Sequence, residues 1–135
     1  MAYCTQEDIA TRIGDERLVS LADHDGDGVA DANVLQGAID SAGAVMDSFL
    51  GLRYEVPLDP VPEAAKTCAV NLAVYFLQLG RDSVTEDVRR QYEADLEWLR
   101  HVASGRTRLD AHESETAPGV HYESAERAFG RGEPL

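Results

Sequence analysis

Asp23, Asp25, Asp27 and Asp31 recur at short intervals in Asp23-His24-Asp25-Gly26-Asp27-Gly28-Val29-Ala30-Asp31, a spacing suited to a hard cation. Ca²⁺ takes oxygen ligands from loop positions 1, 3, 5 and 9 and a backbone carbonyl at position 7, with a glycine at position 6 for the sharp turn. In this chain those places fall to Asp23, Asp25, Asp27 and Asp31, to the Val29 carbonyl and to Gly28. An EF-hand would add a bidentate glutamate at position 12, where Val34 stands, and a larger apolar residue than Ala30 at position 8. The loop therefore follows the shorter D-x-D-x-D-G-x-x-D pattern. The competing reading is a solvated Gly/Asp turn whose last aspartate caps the following helix. Under either reading the role is structural, because an ion held here has no neighbouring group to turn it to chemistry.

Other residues that could do chemistry are dispersed. His24, His101, His112 and His121 lie in the acidic loop, at a helix end and in the C-terminal stretch, none beside a nucleophile or a carboxylate partner that would define a triad. His24 takes an outward position in the loop and reads as a surface residue. Glu93 and Glu97 share a helix face and could imitate paired carboxylates, but Arg89 and Arg100 nearby make a solvated face the better reading. No P-loop, dinucleotide-binding glycine pattern or zinc-ligand spacing occurs. The chemistry thus argues against an enzyme.

The surrounding periodicity is helical. Thr5 and Asp8 make a capping box for a short helix that stops at Gly14, and Asp15 caps a second short turn carrying Leu18, Val19 and Leu21. After the acidic loop, Leu35, Ala38, Ile39, Ala42, Val45, Met46, Phe49 and Leu50 define a long amphipathic helix ending at Gly51. Gly37 and Gly43 within it cost about 1 kcal/mol each relative to alanine, which points to close approach of another helix or subunit. Residues 52–61, with Pro57 and Pro60, form an extended connector with room for a short edge strand. Pro62 opens the next helix, whose apolar face runs from Ala65 through the core residue Cys68 to Leu79 before Gly80. Ser83 and Glu86 suggest a capping box for a last helix ending at Gly105, with Trp98 anchoring its edge. The expected fold class is all-α, a small bundle of about four main helices, with residues 1–105 as the body and 106–135 as an extended arm.

Bulk properties narrow the partners. The 135 residues suffice for one domain with a real core. The formal net charge is −13, with 8 basic and 19 acidic residues in 1–105 (−11) and 4 and 6 in 106–135 (−2), so the acidity belongs to the body. Such a surface argues against tight nucleic-acid binding, which needs Lys and Arg to displace counterions, although it suits a passage that DNA crosses without sticking. Cys4 and Cys68 are too few for a disulfide scaffold and imply a reducing compartment. The sequence carries no signal-peptide pattern and no apolar run near the ~20 residues of a membrane span, so a soluble protein made in a cytoplasm is expected.

A resemblance covers about residues 1–109. It is carried by the opening Met1 to Ile9, the Asp23–Asp31 loop, Gly51-Leu52-Arg53-Tyr54 with Pro57-Leu58 and Val61-Pro62, and the Tyr92–Leu99 helix. In order and spacing these resemble the Mu-like phage Gp36 group of small virion proteins, whose plan is similar to the head-tail connector, or adaptor, proteins of tailed phages. Glu126 to Arg131 looks like a weaker form of that group's Arg-rich, Phe-containing C-terminus. The resemblance implies a subunit of a homo-oligomeric, twelvefold ring below the portal protein, at the neck of the virion. Such a ring would extend the DNA channel and dock a stopper or tail-terminator protein. It also implies a C-terminal portal-binding arm, for which Val120, Tyr122, Arg127, Phe129 and Arg131 are the candidate contacts; a disordered arm can order on a partner and pair with a sheet edge. The alternatives are a calcium-responsive protein-binding module and a small hydrolase with carboxylates from separate helices.

Overall fold

The computed structural model describes residues 3–109. Five helices follow one another: α1 (Gln6–Ile13), α2 (Asp15–Ala22), α3 (Ala32–Leu50), α4 (Glu63–Gly80) and α5 (Glu86–Ser104). The all-α expectation holds, and the turn expected after Asp15 is a full eight-residue helix with Gly14 as its N-cap. The Thr5–Asp8 capping box forms as expected, Asp8 N–H donating to Thr5 Oγ1 at 3.1 Å and Thr5 N–H to Asp8 Oδ2 at 2.9 Å. Gly14 adopts φ 89°, so one residue suffices to turn α1 into α2.

Helix α4 is the centre of the bundle and touches each of the other four helices. Its inward residues are mostly small: Ala65, Cys68, Ala69, Leu72, Ala73, Val74 and Leu77 are all buried. Small side chains on a helix surrounded on several sides let the neighbouring backbones come close. Ile9 from α1, Ala22 from α2, Leu35, Ile39, Ala42, Met46 and Leu50 from α3, and Leu99 and Val102 from α5 complete the core. Trp98 is half-buried against that core, as an edge anchor should be. No helix of the described residues is long and apolar enough to cross a membrane.

Three local expectations need correction. No strand forms in residues 52–61; the connector instead folds inward, burying Tyr54 and Leu58 to about 1% exposure. The Tyr3 hydroxyl donates to Asp47 and accepts the Leu58 N–H at 3.4 Å, while the Tyr54 hydroxyl accepts the Leu109 N–H at 2.9 Å. Tyr54 takes a β-bridge position, and these side-chain bonds satisfy further polar groups of the connector. Next, the cap of α5 is Thr85, whose Oγ1 accepts the Val88 N–H at 3.2 Å. Ser83 lies two residues too early, and its hydroxyl donates to the Gln78 carbonyl instead. Finally, the glycines of α3 are not forced by close helix packing within the subunit: a Cβ on Gly43 would meet the Tyr3 ring at 3.8 Å, an ordinary contact, and one on Gly37 would meet nothing within 4 Å.

Gly105 is the opposite case. It closes α5 at φ 86°, with Gly105 N–H donating to the Val102 carbonyl and Arg106 N–H to the His101 carbonyl, the two bonds of a Schellman motif. A Cβ there would sit 2.9 Å from the Arg53 guanidinium.

Two polar side chains, Gln78 and Asp95, are buried among the described residues, and Asp95 is the ionisable one. Asp95 of α5 is 7% exposed; its Oδ1 accepts the Gln91 amide at 3.0 Å, and Oδ2 has no hydrogen-bond partner. Burial pushes its carboxyl above the usual range, against the opposing hydrogen bonds from Gln91 and Asn71 and the charge of Arg12. Above a raised folded-state pKa the ionised group costs stability, and protonation as pH falls removes that cost. Asp95→Asn is therefore expected to raise the melting temperature at pH 7. The gain should shrink as pH approaches ~4, where the carboxyl of the unfolded chain also takes up its proton. Thermal unfolding of both proteins across pH 4 to 7 measures the difference; a loss of stability at neutral pH would contradict this account.

Candidate functional site

The acidic loop bridges α2 and α3, and both of its ends are fixed. Ala22 before it is fully buried, Asp31 is the N-cap of α3, and the Asp31 N–H donates to the Ala22 carbonyl at 2.9 Å to close the base. Between them Gly26 and Gly28 take φ 77° and 83°, backbone that larger residues rarely adopt. Those turns aim successive N–H groups inward. Asp23 Oδ1 accepts the N–H of Gly26 at 2.8 Å and of Asp27 at 3.1 Å, and its Oδ2 accepts that of Gly28 at 2.8 Å. Asp25 accepts the Asp27 N–H, and Asp27 accepts the Val29 N–H.

Asp31 does not use its side chain to cap the helix. Its Oδ2 accepts the N–H of His24 across the loop, at 3.0 Å, and so turns toward the other carboxylates. One carboxylate oxygen from each of Asp23, Asp25, Asp27 and Asp31 lies within 4.8 Å of all the others. At 2.3–2.6 Å per bond, two oxygens on opposite sides of a Ca²⁺ ion stand about 5 Å apart, so the four fit on one coordination sphere. Val29 is placed in the same turn with its side chain 62% exposed, which suits a residue expected to contribute only backbone.

The crowding registers in the protonation equilibria. Asp23 is held below the usual carboxylate range, chiefly by the Gly28 N–H. Asp25 is held above it: the Asp27 N–H favours its anion, but hydrogen bonding with the Asp23 and Asp27 carboxyls, partial desolvation and the Asp27 charge outweigh that bond. The arrangement can take a hard cation through carboxylate oxygens, and it offers no nucleophile.

Two further hollows bear on function. A cleft of about 340 Å³ between α1 and α4 joins Asp8, Arg12, Glu63 and Lys66, the kind of mixed-helix carboxylate grouping a hydrolase would need. Partial burial alone would raise the Asp8 carboxyl, but its Thr5 hydrogen bonds and the Lys66 ammonium at 3.5 Å carry it below the usual range. Asp8 is thus committed to capping α1 and tying it to α4, and is poorly suited to donate a proton. A second groove, of about 380 Å³, is lined by His24, Val34, Gly37, Phe76, Leu77 and Leu79. Its position was not legible in the sequence beyond the unexplained Gly37. Glu97 pairs with Arg100 and His101 on the exposed face of α5, as the solvated-face reading expects. Val120, Tyr122, Arg127, Phe129 and Arg131 lie outside the described residues.

Residues 3–125 match the family model described as Bacteriophage Mu, Gp36. The chain belongs to this Gp36 family. Among curated proteins it is 36% identical to the Mu-like prophage FluMu protein gp36 of Haemophilus influenzae over 101 residues, covering 72% of this chain and 70% of the relative. It is 32% identical to gene product J of Escherichia phage Mu over 137 residues, covering the whole of this chain and 87% of that protein. Gp36 membership makes this a phage protein, and the family match extends through the helical body into the segment beyond Leu109.

The loop geometry predicts that Asp23→Asn, which keeps the shape but removes the charge that three N–H groups converge on, loosens the turn. Amide exchange at Gly26, Asp27 and Gly28 should accelerate, while amides inside α4 stay unchanged. Equal protection in variant and parent would contradict the assigned bonds.

Proposed function

We propose that this protein is a non-catalytic structural subunit of a tailed phage or phage-like particle: a head-tail connector, or adaptor, at the virion neck. In this reading copies form a ring, twelvefold by the resemblance, below the portal protein. The ring extends the channel through which DNA passes without specific binding, and presents a platform to the stopper or tail-terminator protein. The observation that carries the proposal is the Gp36 family match over residues 3–125, which joins a small helical body to a long C-terminal segment. Physical features support it. The −11 charge of residues 1–105 discourages adhesion to passing DNA. Leu52, Val56 and Leu79 stand exposed on the body, as contact residues between subunits would. Leu109 is pinned by the Tyr54 hydroxyl, so the arm would leave the body from a defined point.

Removal of residues 110–135 is expected to leave a folded body with an unchanged helical circular-dichroism spectrum and to abolish attachment to portals in a pull-down with the isolated portal protein. Undiminished attachment would count against the arm, and no attachment by the full chain would count against the adaptor role itself.

The converging carboxylates favour a second element, a structural Ca²⁺ in the Asp23–Asp31 loop, with Asp23, Asp25, Asp27, Asp31 and the Val29 carbonyl as ligands. Calorimetric titration of the full chain with Ca²⁺ should show saturable heat and a raised melting temperature, both lost in Asp27→Asn. Absence of heat at millimolar metal would leave the loop as a turn held by its own N–H groups. If Ca²⁺ changed partner affinity more than stability, the protein would read better as a calcium-responsive binding module.

A further inference from the structure

The groove beside the acidic loop has a composition that its own packing does not explain. Val34 and Phe76 are half-buried in its walls, Leu77 is buried beneath them, and Leu79 is 52% exposed along its edge. Gly37 weakens α3 relative to alanine, yet a side chain there would enter open space. His24 brings the loop, with Asp23 and Asp25 on either side, to one end of the groove. The single cation next to Gly80, Arg81, turns instead to the Ser20 carbonyl at 3.4 Å. An apolar slot that meets the four-aspartate loop at His24 suits an apolar side chain with cations beside it.

The chain contains such a segment. Both arginines beyond residue 109, and the one phenylalanine there, fall within Arg127-Ala128-Phe129-Gly130-Arg131, which has no acidic residue. We propose that this segment docks on its own molecule, Phe129 in the α3–α4 groove and the Arg127 and Arg131 guanidiniums toward the loop carboxylates. Reach permits it. Leu109 is held at Tyr54, just past the end of α3, and Gly37 lies roughly 20 Å back along that helix at 1.5 Å per residue. The stretch from Leu109 to Arg127 can extend to about 60 Å. A Ca²⁺ ion in the loop would leave two of the four negative charges uncompensated, so the attraction survives metal binding. The docking is a property of the isolated chain and does not rest on the portal reading.

The test attaches a nitroxide at Gly132→Cys in the full-length chain and records amide broadening by NMR. Cys4 and Cys68 are buried, with thiols pushed up to about 11 and about 12, so the added cysteine reacts selectively. Amides of Val34, Gly37 and Leu79 should broaden selectively. The effect should fall several-fold in Phe129→Ala and in Gly37→Gln, whose side chain fills the groove without meeting the core; a melting curve confirms that each variant is folded. Should Gly37→Gln fail to fold, Phe129→Ala alone decides. Broadening that misses these amides, or persists undiminished in Phe129→Ala, overturns the proposal. Broadening that appears on mixing spin-labelled chain with isotope-enriched unlabelled chain assigns the segment to a second copy and overturns intramolecular docking.

Discussion

Helix α4 must lie against four other helices at once, and the rest of the bundle follows from how that is achieved. A helix with this many neighbours keeps only a narrow unburied stripe, here Glu63, Thr67, Asn71 and Tyr75, and large side chains on all its other faces would hold its neighbours apart. The sequence answers with small Ala65, Cys68, Ala69 and Ala73 interspersed with Leu72, Val74 and Leu77, all buried. Cys68 acts as a small hydrophobe here, with burial pushing its thiol up to about 12. Large-to-small changes along this helix would cost the most, since every wall of the resulting cavity belongs to a different helix.

That arrangement also positions the candidate site. The α1–α2 pair is fastened to α4 by the Lys66–Asp8 ion pair and by buried Ile9, Leu18, Leu21 and Ala22. The last of these is the residue from which the acidic loop departs. The loop ends at Asp31, where α3 begins its long contact with α4. Both ends of the loop are therefore anchored to one core, and its nine residues have to close a fixed gap. Two glycines with positive φ make that closure, and the resulting inward N–H groups are what gather the carboxylates.

Much of this was legible in the sequence because the signals are local. Apolar spacing at 3.6 residues marked α3, α4 and α5, and the Thr5–Asp8 box marked α1. The convergence of Asp23, Asp25, Asp27 and Asp31 was legible because it follows from their spacing around Gly26 and Gly28. What was missed depends on tertiary partners. Nothing near Tyr54 or Leu58 in sequence says that Tyr3 and Leu109 will satisfy the connector, so a strand looked reasonable. Ser83 and Thr85 are both good caps, and the choice between them depends on Gln78 near the end of α4, whose carbonyl takes the Ser83 hydroxyl. Nothing in the spacing of α5 sets Asp95 apart from its other acids, and only the packed bundle shows it to be buried.

The backbone hydrogen bonds of the loop bear on how a cation would act there. In zinc fingers and similar small metal domains the site is absent until the ion arrives, so binding free energy is folding free energy. Here Asp23 already receives three N–H groups, and Asp25, Asp27 and Asp31 receive one each, so part of the repulsion among four carboxylates is offset without any ion. The elevated carboxyl of Asp25 marks what remains uncompensated. An ion entering such a turn would relieve that residue of strain rather than organise the chain, and its effect would be confined to the loop and the first turn of α3. The core around α4 holds Ala22 and Leu35 in place on either side of the loop, so the ion's arrival need not be felt beyond them.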